Sequence, residues 1–352
     1  MINPSQKLNP KIFDKDVERI SVRKGFGEGL VNASDLNKNV VGLCADLVES
    51  TGMEIFKNKY PDRFIEIGIA EQNMASTASG MAAMGKIPFM ASYAIFSPGR
   101  NWEQIRTTIC YNDRPVKIVA THAGVNVGPD GGSHQALEDI ALMRVLPNMT
   151  VFAPCDYIEA RKIIMAVAKT KGPVYIRLSR EKTPVITTNA TPFEIGKGQI
   201  FFAPDAEKNN NIKSENNVKI GVKENIKKAD VGIITTGDLL HNALLAASKL
   251  EKENISIKVL HLATIKPLDE KAVLDLAHET KALVTVEEHQ MFGGLGSTIS
   301  EFLSQNYPTL QEFIAVKDKF GQSGTSSELR EFYGLGVSHI YNAVKRILLR
   351  KS

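Results

Sequence analysis

The sequence predicts an α/β protein made of two doubly wound domains with mostly parallel sheets. Short apolar runs alternate with helical patterns up to about Arg180, an Asn- and Lys-rich stretch then breaks the rhythm, and the alternation resumes near Ala229. Strands alternating with helices call for parallel pairing with helices on the sheet faces. At 352 residues the chain is long enough for two domains, each with its own core.

The first domain is expected over residues 14–181. Its strand candidates are "VVGLCADL", "FIEIGIA", "IPFMASYAIF", "VKIVATHAG", "MTVFAPC" and "VYIRLSR", with helical patterns in "NWEQIRTTICYN" and "DYIEARKIIMAVAKT". In "FIEIGIAEQNMASTASGMAAMG" the alternation of Ile65, Ile67 and Ile69 reads as a strand, and the small residues from Gln72 to Met84 suit a closely packed helix. Residues 182–229 read as a linker, and "EKNNNIKSENNVKIGVKENIKK" within it has too few large apolar side chains to bury, so it is expected to be an exposed, mobile insertion. A second, smaller α/β domain follows over 230–352, through "ADVGIITTG", "HNALLAASKLEKE", "ISIKVLHLATIKPLD", "ALVTVEEH" and "GGLGSTISEFL". It closes on an amphipathic helix, "VSHIYNAVKRILL". The halves share a class but no sequence period.

Composition excludes several functions. With 43% hydrophobic and 23% charged residues the chain reads as soluble and globular. A net charge of +4, with the basic residues dispersed, argues against a nucleic-acid surface. Cys44, Cys110 and Cys155 are odd in number and lack metal-type spacing, so they read as thiols of a reducing compartment. The opening residues lack a signal-peptide core and no apolar run could span a bilayer, which predicts a cytoplasmic protein.

Two stretches could carry chemistry. Glu71 sits at a strand-to-helix junction, where a carboxylate is stabilised by the helix dipole by about 0.3 to 1 kcal/mol. The same junction lies beyond the carboxyl end of a strand, where open α/β sheets bind ligands. Pattern alone favours the helix-start role. The second stretch, "THAGVNVGPDGGSHQALEDIA", gathers His122, Asp130, His134 and four glycines in one loop after a strand. It fits an acid/base cluster and a turn-rich surface loop equally. The "GGLG" segment at 293–296 precedes a helix and could hold an anion, although tight packing is the stronger reading. "EEH" at 287–289 needs only solvent, and Tyr93, Phe96 and Trp102 suit a core or interface.

"PDRFIEIGIAEQNM", "VATHAGVNVGPDGGSHQ", "TIKPLD", "TVEEH" and "KDKFGQSG", in this order, closely resemble the C-terminal half of transketolase. The resemblance covers nearly the whole chain apart from the Lys/Asn-rich insertion. It implies a pyrimidine-binding domain for thiamine diphosphate followed by a transketolase C-terminal domain. It implies that Glu71 hydrogen-bonds N1′ of the aminopyrimidine, favouring the imino tautomer that takes the thiazolium proton. It also implies Asp46 near the thiazolium, Phe96 packed on the aminopyrimidine with Tyr93 beside it, and His134 close to the reacting carbon. Ser50, His122 and Arg180 are implied for a sugar phosphate and Asp130 for a substrate hydroxyl, a forked guanidinium being well suited to phosphate.

The Gly-Asp-Gly motif by which the family holds the diphosphate through a divalent metal is missing from this chain; "GPDGGSH" and "TTGDLL" do not supply it. No metal ligands are therefore expected here. The resemblance implies the C-terminal subunit of a split transketolase, a transferase of the pentose phosphate pathway. It would pass a two-carbon ketol unit from a ketose phosphate to an aldose phosphate, using Mg2+ or a similar ion bound mainly by an N-terminal partner chain. A dimer of heterodimers is expected, with no nucleic-acid or membrane partner. The rival readings are a deoxyxylulose-phosphate synthase-like enzyme, a 2-oxo acid dehydrogenase β-subunit-like enzyme and a non-catalytic assembly subunit.

Overall fold

The structure, a computed structural model, describes residues 1–204 and 228–351. The expected Lys/Asn-rich insertion lies almost entirely outside the described residues. Two main sheets carry the fold. The first has seven strands in the order Thr264–Lys266, Thr150–Phe152, Val174–Arg177, Lys117–Thr121, Ile87–Tyr93, Val40–Cys44 and Phe64–Glu66. All its neighbours are parallel except the first pair. The second has five, in the order Leu310–Val316, Ala282–Gln290, Val231–Thr235, Ile257–His261 and Gln199–Phe202, the last pair antiparallel.

Strand alternation explains how the first sheet is covered on both faces. In Val40–Cys44, Val41 and Leu43 join one buried cluster while Val40 and Cys44 join the other. The first cluster receives Met74, Ala75 and Ala78 from the helix Glu71–Ala83. The second receives Phe26 and Leu30 from the helix Val22–Leu36, together with Ile163 and Ile164 from the helix Tyr157–Val167. Each fully buried Leu or Phe side chain contributes about 1.5 to 3 kcal/mol. Gly25 lets the last two helices touch, since a Cβ there would stand 2.0 Å from the Tyr157 carbonyl oxygen. The Asp156 side chain caps Tyr157–Val167 by accepting the Glu159 N–H at 2.9 Å.

Several sequence expectations are refined. The strand read through Ile69 ends at Glu66, because the chain turns at Gly68, φ +74°, to reach the helix. The run "ISIKVLHLATIKPLD" divides between the sheets: Ile257–His261 joins the five-stranded one, and Thr264–Lys266 crosses to the edge of the seven-stranded one. The segment read as a linker carries Lys182–Pro184, paired with Arg19–Ser21, and Gln199–Phe202. The three cysteines are buried free thiols. No helix among the described residues is long and apolar enough to cross a membrane.

"EEH" is not solvated. Glu287, Glu288 and His289 are 1%, 4% and 0% exposed, because the strand Ala282–Gln290 continues beneath the first domain. The glycine cluster explains Glu287, whose two carboxylate oxygens accept the N–H groups of Leu295 and Gly296 at 2.7 and 2.8 Å. The anion at this helix start is thus the chain's own, and the glycines also pack tightly: a Cβ on Gly296 would lie 2.4 Å from Phe313. Burial pushes Glu287 up to about 7.

Candidate active site

The turns that follow the parallel strands converge on one edge of the seven-stranded sheet. Glu71 opens its helix without a side-chain cap before it, so its carboxylate meets the helix dipole directly. It is 4% exposed, and its main-chain oxygen accepts the Asn101 amide at 3.1 Å. Its carboxylate lies 3.5 Å from Arg100 Nη1, and the Arg100 guanidinium lies over the Phe96 ring, 4.5 Å from its centroid.

Phe96 continues this arrangement into an aromatic chain. It stacks on Tyr93 at 5.8 Å between centroids, Tyr93 stacks on His122 at 3.8 Å, and Phe96 meets the edge of His134 at 5.6 Å. Glu71, Tyr93, Phe96, His122 and His134, separated in sequence, therefore form one contiguous constellation. His122 adopts φ +56°, an uncommon left-handed conformation for a residue with a side chain, and its Nδ1 lies 3.0 Å from Thr121 Oγ1. Burial, with Arg23, Arg180 and His134 nearby, pushes the imidazole down to about 3, so it is neutral at ordinary pH.

Arg180 reaches this group beside Arg23. Arg23 donates to the Ser50 carbonyl at 2.5 Å and to the Arg180 carbonyl at 3.0 Å, tying the turn that holds Ser50 to the strand end that holds Arg180. Arg180 Nη1 donates to the Val127 carbonyl at 2.9 Å. Its backbone is held by Asn126, whose side-chain oxygen accepts the N–H groups of Arg180 and Glu181, each at 2.9 Å. Asp46 and Asp130 are exposed, and neither carboxylate has a hydrogen bond or ion pair with another site residue among the described residues. The Asp46 turn is nevertheless fixed, because Glu66 Oε1 accepts the N–H groups of Asp46 and Gly68 at 2.8 and 3.0 Å.

The second domain buttresses the loop bearing His134. Gln135 donates to the Gln322 carbonyl at 3.0 Å, and Gly132 lies so close to the 320–325 loop that a Cβ would stand 2.5 Å from the Gly321 oxygen. Below it, Glu288 accepts the Asn126 N–H at 2.7 Å and the Arg330 Nε–H at 2.8 Å. Sequence reading missed Arg23, Arg100 and Asn126. Arg100 left one local signal, its four-residue spacing from Phe96; Arg23 and Asn126 left none.

A buried carboxylate and an aromatic face already meet one flat, nitrogen-bearing group, the Arg100 guanidinium, and this pair of side chains fits the aminopyrimidine of thiamine diphosphate. For the metal, the only grouping of His, Cys and carboxylate side chains among the described residues is Cys155, Glu159 and His261. These side chains are fully buried, and Glu159 Oε2 is already taken by the Cys155 N–H at 2.8 Å and the His261 ring at 2.9 Å.

Comparison with known proteins finds two family matches along the chain. The transketolase pyrimidine-binding domain family matches residues 18–185, and the transketolase C-terminal domain family matches residues 221–340. A transketolase C-terminal section from Methanocaldococcus jannaschii is 41% identical over 330 residues, covering 93% of this chain and 95% of that protein. Human transketolase is 35% identical over 335 residues, which are 95% of this chain and 50% of the human protein. A solved structure described as a split gene transketolase, inactive beta4 tetramer, superposes with a TM-score of 0.82 at 40% identity, covering 95% of this chain and 100% of that one.

Proposed function

This chain belongs to the transketolase family as its C-terminal part, and from that premise we propose that it is one subunit of a two-chain, thiamine diphosphate-dependent transketolase. Residues 14–181 are the pyrimidine-binding domain, 182–229 the link and 230–352 the C-terminal domain. The observation that carries the reading is the convergence of Glu71, Tyr93, Phe96, His122 and His134 on one sheet edge. The chain spans about half the length of the human relative, and the solved tetramer of the split homologue is described as inactive, which supports a requirement for an N-terminal partner.

When bound, thiamine diphosphate supplies the nucleophilic carbon that accepts a two-carbon ketol unit. Glu71 would share a proton with N1′ of the pyrimidine ring, whose amino form has only a lone pair there, and Phe96 would pack on the ring face with Tyr93 behind it. Asp46 would lie near the thiazolium. The diphosphate and its Mg2+ are held mainly by the partner chain.

Arg180, His122 and Ser50 bind the sugar phosphate. Arg23 adds a second guanidinium there, and the neutral His122 can donate one hydrogen bond without competing for a proton. Asp130 accepts from a substrate hydroxyl, and His134 holds a proton near the reacting oxygen. The donor is a ketose phosphate and the acceptor an aldose phosphate, as in the pentose phosphate pathway. The assembly is a dimer of heterodimers acting in the cytoplasm.

The test is to assay the chain alone and co-expressed with a candidate N-terminal chain, using thiamine diphosphate, Mg2+ and a panel of donor and acceptor sugar phosphates. Negligible ketol transfer alone and robust transfer by the pair are expected. Robust transfer by the isolated chain would defeat the split-subunit reading.

A further inference from the structure

Arg100 holds an unusual position. Its guanidinium touches both the Glu71 carboxylate, at 3.5 Å, and the face of Phe96, at 4.5 Å. A carboxylate and an aromatic face are the two features with which a flat nitrogen heterocycle would be held. The guanidinium is itself flat, carries N–H donors and stacks on aromatic faces, which a lysine ammonium does not reproduce.

The backbone around Arg100 is fixed by hydrogen bonds, while its side chain is half-exposed to water. The Arg100 N–H donates to the Phe96 carbonyl at 2.8 Å, and Gln72 donates to the Arg100 carbonyl at 3.3 Å. Next along, the fully buried Asn101 donates to the Glu71 carbonyl at 3.1 Å and to Ser97 Oγ at 3.2 Å. The Arg100 side chain is 54% exposed, whereas that of Glu71 is 5% exposed. Withdrawing the guanidinium into water therefore leaves the loop in place. It also leaves a buried carboxylate without its cation, which is costly unless another donor takes over.

We propose that Arg100 is a positioning residue that occupies the seat of the aminopyrimidine, keeping Glu71 partnered and Phe96 oriented, and that the cofactor ring enters by displacing its guanidinium. The proposal rests on the thiamine diphosphate reading above. Ring binding is then an exchange of partners for Glu71 and Phe96. Removing Arg100 removes the competitor, and binding tightens.

The experiment uses the reconstituted two-chain complex carrying wild-type sequence, Arg100→Ala, Arg100→Gln or Arg100→Lys, with folding checked by circular dichroism and native mass. Thiamine diphosphate with Mg2+ is titrated by equilibrium dialysis, and its association rate is followed by quenching of protein fluorescence. Arg100→Ala and Arg100→Gln are expected to bind about three- to tenfold more tightly and to associate faster, with Arg100→Lys in between. A residue that merely supports the loop would give the opposite sign. Unchanged or weaker binding in folded Arg100→Ala and Arg100→Gln complexes would overturn the proposal. Cofactor uptake by the wild-type complex bears on the functional reading alone, whereas the direction of change in the variants bears on Arg100 alone.

Discussion

Asn126 donates its side-chain amide to Asp238 at 2.9 Å, joining the loop between His122 and Asp130 to the second domain. The other end of the same side chain holds the backbone of Arg180 and Glu181, so one fully buried amide sets both the domain contact and the start of the proposed phosphate site. Asn126→Ala would leave two N–H donors and a share of the Asp238 carboxylate without partners. A loss of about 2 to 4 kcal/mol in unfolding free energy is expected, together with a raised KM for sugar phosphates. Denaturant titration and steady-state kinetics of the reconstituted complex check both, and a variant with wild-type stability would refute this account of the contact.

Glu71→Gln keeps the shape of the side chain and removes its capacity to exchange a proton with N1′. The expected outcome in the complex is intact assembly with exchange of the thiazolium C2 proton slowed about 10²- to 10⁴-fold. Exchange is followed by NMR after acid quench. Near-normal exchange would remove Glu71 from its proposed role.

His122 gives a pH prediction with a definite sign. Its folded pKa, about 3, lies below the ordinary value of 6.5, so the unfolded chain takes up the proton first on acidification. The stability it contributes is present above pH 6.5 and is lost as pH falls towards 3, at up to about 1.4 kcal/mol per pH unit. Between pH 6.5 and 5, wild type should lose about 2 kcal/mol more than His122→Phe, which keeps a ring against Tyr93. Urea midpoints at the two pH values test this, and equal losses would show that His122 is charged in the folded chain.

Much of the fold was legible in the sequence because it is written in short-range periodicity. The alternation in "VVGLC" places Val41 and Leu43 on one face of the sheet and Val40 and Cys44 on the other, whatever the rest of the chain does. The small residues after Glu71 specify a helix that can lie close to its sheet, and the junction places the carboxylate beyond a strand end. The separated motifs then identified the family. "EEH" was misread because solvent and a buried partner are equally compatible with a polar residue at a strand end. Glu288 takes its partners from distant segments, the Asn126 backbone 162 residues away and the Arg330 side chain.

The sequence by itself thus determined the alternation of elements, the faces they bury and the residue types available for chemistry. Only the tertiary structure decided which of those residues meet. It set the Arg100 guanidinium between Glu71 and Phe96, gave the helix start at "GGLG" the Glu287 carboxylate as its anion, and packed the 320–325 loop against the loop of His134. The physical reason is that backbone periodicity is a local property, whereas a buried charge or amide takes its partner from whatever segment the packing of two domains brings within about 3 Å.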